Sequence, residues 1–157
     1  MTGIINSAGS RSGVISTHEL DYEEGFHTVT IATSSSGTVA IDASSDQLSY
    51  TKIGRLVTVT GGFIVAATGT SSPVGYFKIS MPFATANETE SSSRACGSII
   101  VGDGASADSS EYGAVGYQNE AWCRVYLCDQ TGLGADSAQQ LASGSVHIFL
   151  TFSYFTV

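Results

Sequence analysis

The stretch that decides the fold is the last one, Val146-His147-Ile148-Phe149-Leu150-Thr151-Phe152-Ser153-Tyr154-Phe155. Side chains of a β-strand point alternately to opposite faces. Val146, Ile148, Leu150, Phe152 and Tyr154 therefore share one wholly apolar face, which demands a core. His147, Phe149, Thr151, Ser153 and Phe155 share the other. A strand half exposed on an ordinary antiparallel sheet is polar on its outer face, yet this one carries aromatics there as well. Either the strand is central and covered on each side, or its second face meets another subunit. Charged residues make up only 13% of the chain, against a usual share of about 25%. With so little charge to cover the surface, the second subunit is the preferred reading.

Upstream of this strand the chain is a procession of short β-segments separated by turn signals. FHTVTIA (26–32), TVAID (38–42), QLSYTKIG (47–54) and RLVTVTGGFIVAAT (55–68) come first. Gly61-Gly62 inside the last of these predicts a bulge or bend. TGTSSPVG (68–75) reads as the turn into YFKISMPF (76–83), and polar loops then lead to CGSIIVG (96–102) and YGAVGYQ (112–118). Asn119-Glu120 turns the chain into AWCRVYLC (121–128), and the stretch 129–144 has room for one helical turn at most. By residue count 24 Ser and 16 Thr make up about a quarter of the 157 residues, beside 18 Gly and 2 Pro. Those residues favour turns and strands over helices. Eight to ten strands at this spacing mean an all-β antiparallel sandwich or barrel. No repeat of 20–50 residues is present, which excludes a solenoid.

Residues 1–25 differ. Apolar pairs, Ile4-Ile5 and Val14-Ile15, stand among Gly and Ser, and an acidic cluster, Asp21, Glu23 and Glu24, closes the segment. No period of 2 or 3.6 persists there. The expectation is an extended arm over 1–25 that docks on trimer mates or on a larger assembly, followed by a single domain over 26–157.

Six Lys+Arg against 14 Asp+Glu leave no basic stripe for phosphates, so nucleic acid is not an expected partner. No apolar run approaches a membrane span, and the first residues lack the pattern of a secretory signal. G-x-S-x-G, G-x-x-x-x-G-K-[ST] and H-E-x-x-H are all missing, and no serine is selected for a triad. No catalytic residue, cofactor or metal ligand is therefore expected. Asp103, Asp108 and Glu111 read as solvated loop carboxylates, in a spacing that lacks the order of a calcium loop. Cys123 and Cys128 lie too far apart along one strand to pair, and with Cys96 they read as reduced thiols. Trp122 and Tyr126 are expected in the core, because aromatics in strands usually are. Tyr112 and Tyr117 flank glycines near loop ends and are the better candidates for touching a ligand.

GIINSAGSRSGVI (3–15), ELDYEEG (19–25), YTKIGRLVTVTGG (50–62), ISMPF (79–83) and the closing LASGSVHIFLTFSY (141–154) resemble a family of small tailed-bacteriophage virion proteins, the fibre, spike or head-decoration components. The resemblance implies a jelly-roll β-sandwich head, similar to the tumour-necrosis-factor-like class, packed as a homotrimer. It implies that the N-terminal arm leads to capsid or tail proteins, which makes Ile4, Ile5, Arg11, Val14 and Ile15 the expected attachment residues, while the second face of the last strand makes His147, Phe149 and Phe155 the expected trimer interface. It also implies assembly into virions in the bacterial cytoplasm. In the family the D-Y-E-E-G segment usually continues T-(F/W)-T-P-T; here Phe26-His27-Thr28-Val29-Thr30 follows, without the proline. A second reading makes the head a receptor-binding module. Loops 84–94, 103–111 and 130–140, with Tyr112 and Tyr117, would then contact host glycans or proteins. A polysaccharide-degrading spike needs a long repetitive β-helix, which these repeat-free residues do not supply.

Overall fold

A computed structural model describes residues 21–88, 94–102, 111–129, 132–134, 137–142 and 144–157. Among them the strands are β1 (Tyr22–Thr28), β2 (Ile31–Thr33), β3 (Ser36–Ile41), β4 (Gln47–Ile53), β5 (Leu56–Val74) and β6 (Phe77–Ser80). There follow β7 (Cys96–Gly102), β8 (Glu111–Gly116), β9 (Trp122–Asp129), β10 (Gly132–Gly134), the five-residue helix α1 (Ser137–Leu141) and β11 (Val146–Phe155). All pair antiparallel in one curled sheet of order β1-β4-β5-β11-β7-β8-β9-β6-β2, with β3 added on β5 and β10 on β9. The all-β, antiparallel, sandwich-like expectation holds, with eleven strands rather than eight to ten.

Curling brings the two halves of the sheet face to face. Val57, Val59, Phe63, Val65, Ile148, Leu150, Phe152 and Tyr154 come from one half; Phe77, Ile79, Ala114, Cys123 and Val125 come from the other. Together they form one buried core. Strand β11 is central, bonded to β5 along its whole length and to β7 from His147 to Phe152. Its alternation is the one its sequence demands: the five apolar positions are buried, and Phe149, Thr151, Ser153 and Phe155 face out. Helix α1 closes one end with Ala138 and Leu141. Ser137 anchors it: its hydroxyl donates to Val125 O at 2.6 Å and accepts from Phe77 N at 3.0 Å. The opposite end is stitched through Tyr154, whose hydroxyl donates to Phe83 O at 3.0 Å and accepts from Phe83 N at 3.2 Å.

Three local expectations are corrected. Segment 26–32 is two strands, not one, because the chain crosses between the halves of the sheet at Val29-Thr30. Val29 N donates to Asp46 O at 2.7 Å, a bond the proline of the family pattern could not make. The arm boundary at 25 falls inside β1, since Tyr22 to Thr28 pair with Ile53 to Gln47. And 68–75 is not a free turn: β5 continues to Val74, held by β3. The bend comes earlier, at Gly61 (φ 139°). There the six residues 42–47 bulge out opposite only 62–64, between the pairs Ile41↔Val65 and Leu48↔Gly61.

The crossing after β1 holds a titratable group. His27 Nε2 lies 2.9 Å from Ser80 Oγ, which also accepts from Thr30 N at 2.8 Å. Burial lowers the imidazole pKa below its ordinary 6.5, so the folded protein binds this proton less readily than the unfolded chain. The stability tied to neutral His27 is complete above 6.5 and is lost as pH falls from there through the lowered folded value. Urea midpoints measured down a pH series should fall more steeply for the wild type than for His27→Gln. Parallel curves would refute the assignment.

Candidate functional site

Two outward faces of the sheet carry unusual chemistry. The first belongs to β1, β4, β5, β11 and β7. Register places Tyr22, Ile53, Leu56 and Phe155 side by side in one row across four strands. They are 51, 46, 41 and 51% exposed, respectively. Phe149 and Ile100 are cross-strand partners in a second apolar group, and Phe26 stands exposed on β1. Single exposed apolar residues are ordinary on a protein surface, whereas a contiguous row is not.

Between these groups runs a belt of small hydroxyls. Thr58 and Ser153 hydroxyls meet at 3.0 Å, those of Thr60 and Thr151 at 3.4 Å, and Ser49 Oγ donates to Thr60 O at 3.0 Å. An open depression of about 380 Å³ lies among Thr60, Gly62, Ser98, Ile100, Phe149 and Thr151. Gly62 is required beneath it. A Cβ there would stand 2.7 Å from Phe149 Cδ1 and 3.0 Å from its Cε1, so the ring packs against the glycine. By strand parity Glu24 is the one carboxylate on this face, and no Lys or Arg shares it. The other members of the acidic cluster turn inward or to the edge: Glu23 accepts from the Tyr50 hydroxyl at 2.7 Å, and Asp21 pairs with Lys52 at 3.1 Å.

The second face belongs to β6 and β9. Trp122, Arg124 and Tyr126 alternate outward on β9, opposite Cys123 and Val125 in the core. Tyr126 is buried as expected, though outside the main core cluster, whereas Trp122 is not in the core. Trp122 is half-buried on the outside, with Lys78 Nζ 5.8 Å from its ring centre. Tyr126 packs on Tyr76 with ring centres 4.8 Å apart and planes tilted by 55°, and it shares a 2.5 Å hydroxyl contact with Tyr117. Burial, and then the Tyr117 hydroxyl, raise the pKa of Tyr126 far above the ordinary tyrosine value, so it stays a neutral phenol. The Tyr117 ring is faced by two guanidiniums, Arg124 at 4.0 Å and Arg94 at 4.8 Å. Arg124 in turn donates to Glu120 at 2.6 Å.

The sequence-derived candidates divide between these places. Phe149 and Phe155 stand half exposed on the first face, with His147 half-buried beside them. Tyr117 lies within the aromatic–cation cluster. Tyr112 does not join it: on β8 its ring packs against the core and its hydroxyl donates to Gln140 at 3.2 Å. Ile4, Ile5, Arg11, Val14 and Ile15 lie outside the described residues, as do Asp103, Asp108 and much of the three candidate loops. The alternation Trp-x-Arg-x-Tyr in 122–126 carried the signal for the second face. Register alone revealed the row on the first.

Among the described residues no group of three His, Cys, Asp or Glu is placed to hold a metal. Cys96, Cys123 and Cys128 are free thiols, and burial pushes the Cys123 thiol up to about 12, which keeps it unreactive. No helix among these residues is long and apolar enough to cross a membrane.

Neither a protein-family description nor a curated protein matches the sequence. The fold is similar to part of the Dettilon tailspike protein, whose crystal structure aligns with a TM-score of 0.67 at 18% identity over 86% of this chain. The chain spans about a quarter of that protein's length, 24%. At this identity the likeness is one of fold.

Proposed function

We propose that this chain is a bacteriophage virion structural protein. It acts as a homotrimeric fibre or decoration knob of jelly-roll type, joined to capsid or tail by its N-terminal arm. The observation that carries the reading is the row of exposed apolar side chains on the nearly charge-free outer face of β1, β4, β5, β11 and β7. Solvent is a poor partner for the row Tyr22–Ile53–Leu56–Phe155, and a second copy is a good one. The similarity of fold to part of a tailspike supports the virion setting, and so do the residues of the arm and of 50–62 on which the family resemblance rests. His147, Phe149 and Phe155 belong to the proposed interface; Ile4, Ile5, Arg11, Val14 and Ile15 belong to the proposed attachment arm. The role is one of building and contact, without catalysis.

Light scattering on the purified protein tests the oligomer. Three chains of 16.2 kDa give about 48 kDa, and a clean monomer overturns the reading. Deleting residues 2–20 should leave the oligomer intact and abolish incorporation into particles; normal incorporation would remove the arm from the proposal.

A receptor-contact role is the second reading. The aromatic–cation cluster favours it, and it sits on a different face from the proposed interface.

A further inference from the structure

We propose that the outer face of β6 and β9 is a binding site for a carboxylate-bearing saccharide, a deepening of the receptor-contact reading. The first observation is one of charge. The chain carries a net charge of −8, yet three of the five Lys and Arg among its described residues, Lys78, Arg94 and Arg124, gather here. Lys78 and Arg124 are direct cross-strand partners. Like charges in that position repel. Glu120 answers Arg124 alone. Among the described residues neither Lys78 nor Arg94 has an ion-pair partner, and the buried Nε–H of Arg124 has no acceptor. Three cations against one carboxylate leave this face with positive charge that an anion would balance.

The second observation is the shape of what surrounds those charges. Trp122 and Tyr76 are half-buried, so each offers part of a flat ring beside the cations, backed by the buried Tyr126. A pyranose ring has an apolar face of C–H groups that lies well on an aromatic ring, and an acidic sugar adds a carboxylate at its edge. That combination matches flat rings rimmed by Lys78 and the two guanidiniums, with Arg able to grip a carboxylate through paired N–H donors. Long-range repulsion from the acidic remainder is damped over about 8 Å at physiological salt, so the local charges govern. A long polyphosphate chain suits the face poorly, because the cations form a spot rather than a track.

The protein contains one tryptophan, which makes Trp122 emission a local reporter. Purified full-length protein is titrated with hexamers of galacturonic acid and of sialic acid, with a neutral galactose hexamer and an oligothymidylate of equal charge as controls. The expected result is a saturable change in Trp122 emission with at least one acidic sugar. The neutral sugar and the oligonucleotide should bind at least about tenfold more weakly. Lys78→Gln should weaken the acidic sugar about tenfold and Lys78→Arg should restore it, with circular dichroism unchanged in both. No saturable response to either acidic sugar overturns the proposal, as does an equal response to a control or an unaffected Lys78→Gln. None of these results bears on the oligomer mass, so the site and the interface reading fail separately.

Discussion

Gly97→Val is expected to abolish accumulation of folded protein, the largest effect of any single substitution considered. Gly97 faces Phe152 where β7 crosses β11. A Cβ added there would lie 2.4 Å from Thr151 O, 2.6 Å from Phe152 Cδ2 and 3.0 Å from Phe152 Cα. Two of those atoms are backbone of the central strand, so no rotamer change relieves the clash. The strands would have to part, breaking the ladder between His147 and Phe152. A cost of roughly 3–5 kcal/mol follows, a large share of the ~5–15 kcal/mol by which domains are stable. Gly116 provides the contrast. A Cβ there would meet the tip of the Phe152 ring, at 2.9 Å from Cζ, and a ring can shift where a carbonyl cannot. Urea unfolding of Gly97→Ala and Gly116→Ala should show the first clearly less stable. Equal midpoints would show that β7 has slack the geometry denies. Phe152→Leu should not rescue Gly97→Val, because the obstructing Thr151 carbonyl remains.

The same contact explains how much of this fold could be read in the chain. Parity along 146–155 assigned Phe152 to the core and Phe149 and Phe155 to the opposite side, because a period of two survives in any strand whatever its neighbours. The glycine pair at 61–62 likewise announced its bend. Other features depended on partners distant in sequence. The Ser/Thr/Pro stretch 68–75 has turn composition, yet it is strand, because β3 supplies a second edge to bond against. The acidic cluster reads in sequence as the close of a docking arm, but Lys52 and Tyr50 on β4 receive two of its members and strand pairing does the rest. Trp122 shows the limit most clearly. Aromatic residues in strands usually lie inside, and only the company of Arg124 two positions on marks this one as facing out. The row Tyr22–Ile53–Leu56–Phe155 draws on four separate segments and becomes visible only once register is known.

That row yields the second large effect. If the proposed homotrimer forms through this face, replacing Leu56 by Lys and Phe155 by Glu should convert it to monomers of 16.2 kDa without unfolding the chain. The two positions are direct partners in adjacent strands, and both are about half exposed. In the isolated chain the new side chains form an opposite-charge pair across the sheet, which is neutral or mildly favourable there. Their backbone bonds and the core behind them are untouched, so chemical denaturation should give nearly the wild-type midpoint at low protein concentration. Association is affected differently. The apolar area that the leucine and phenylalanine would bury is lost, about 2 kcal/mol together. Two charges must also leave water at each contact, which costs several kcal/mol more unless the geometry is ideal. A loss on the order of 4 kcal/mol weakens association about a thousandfold, enough to empty the oligomer at micromolar concentration. Lys78→Gln, on the other face, serves as the control and should keep the wild-type mass. If the wild type is an oligomer and the double variant keeps its mass, this row is not the interface.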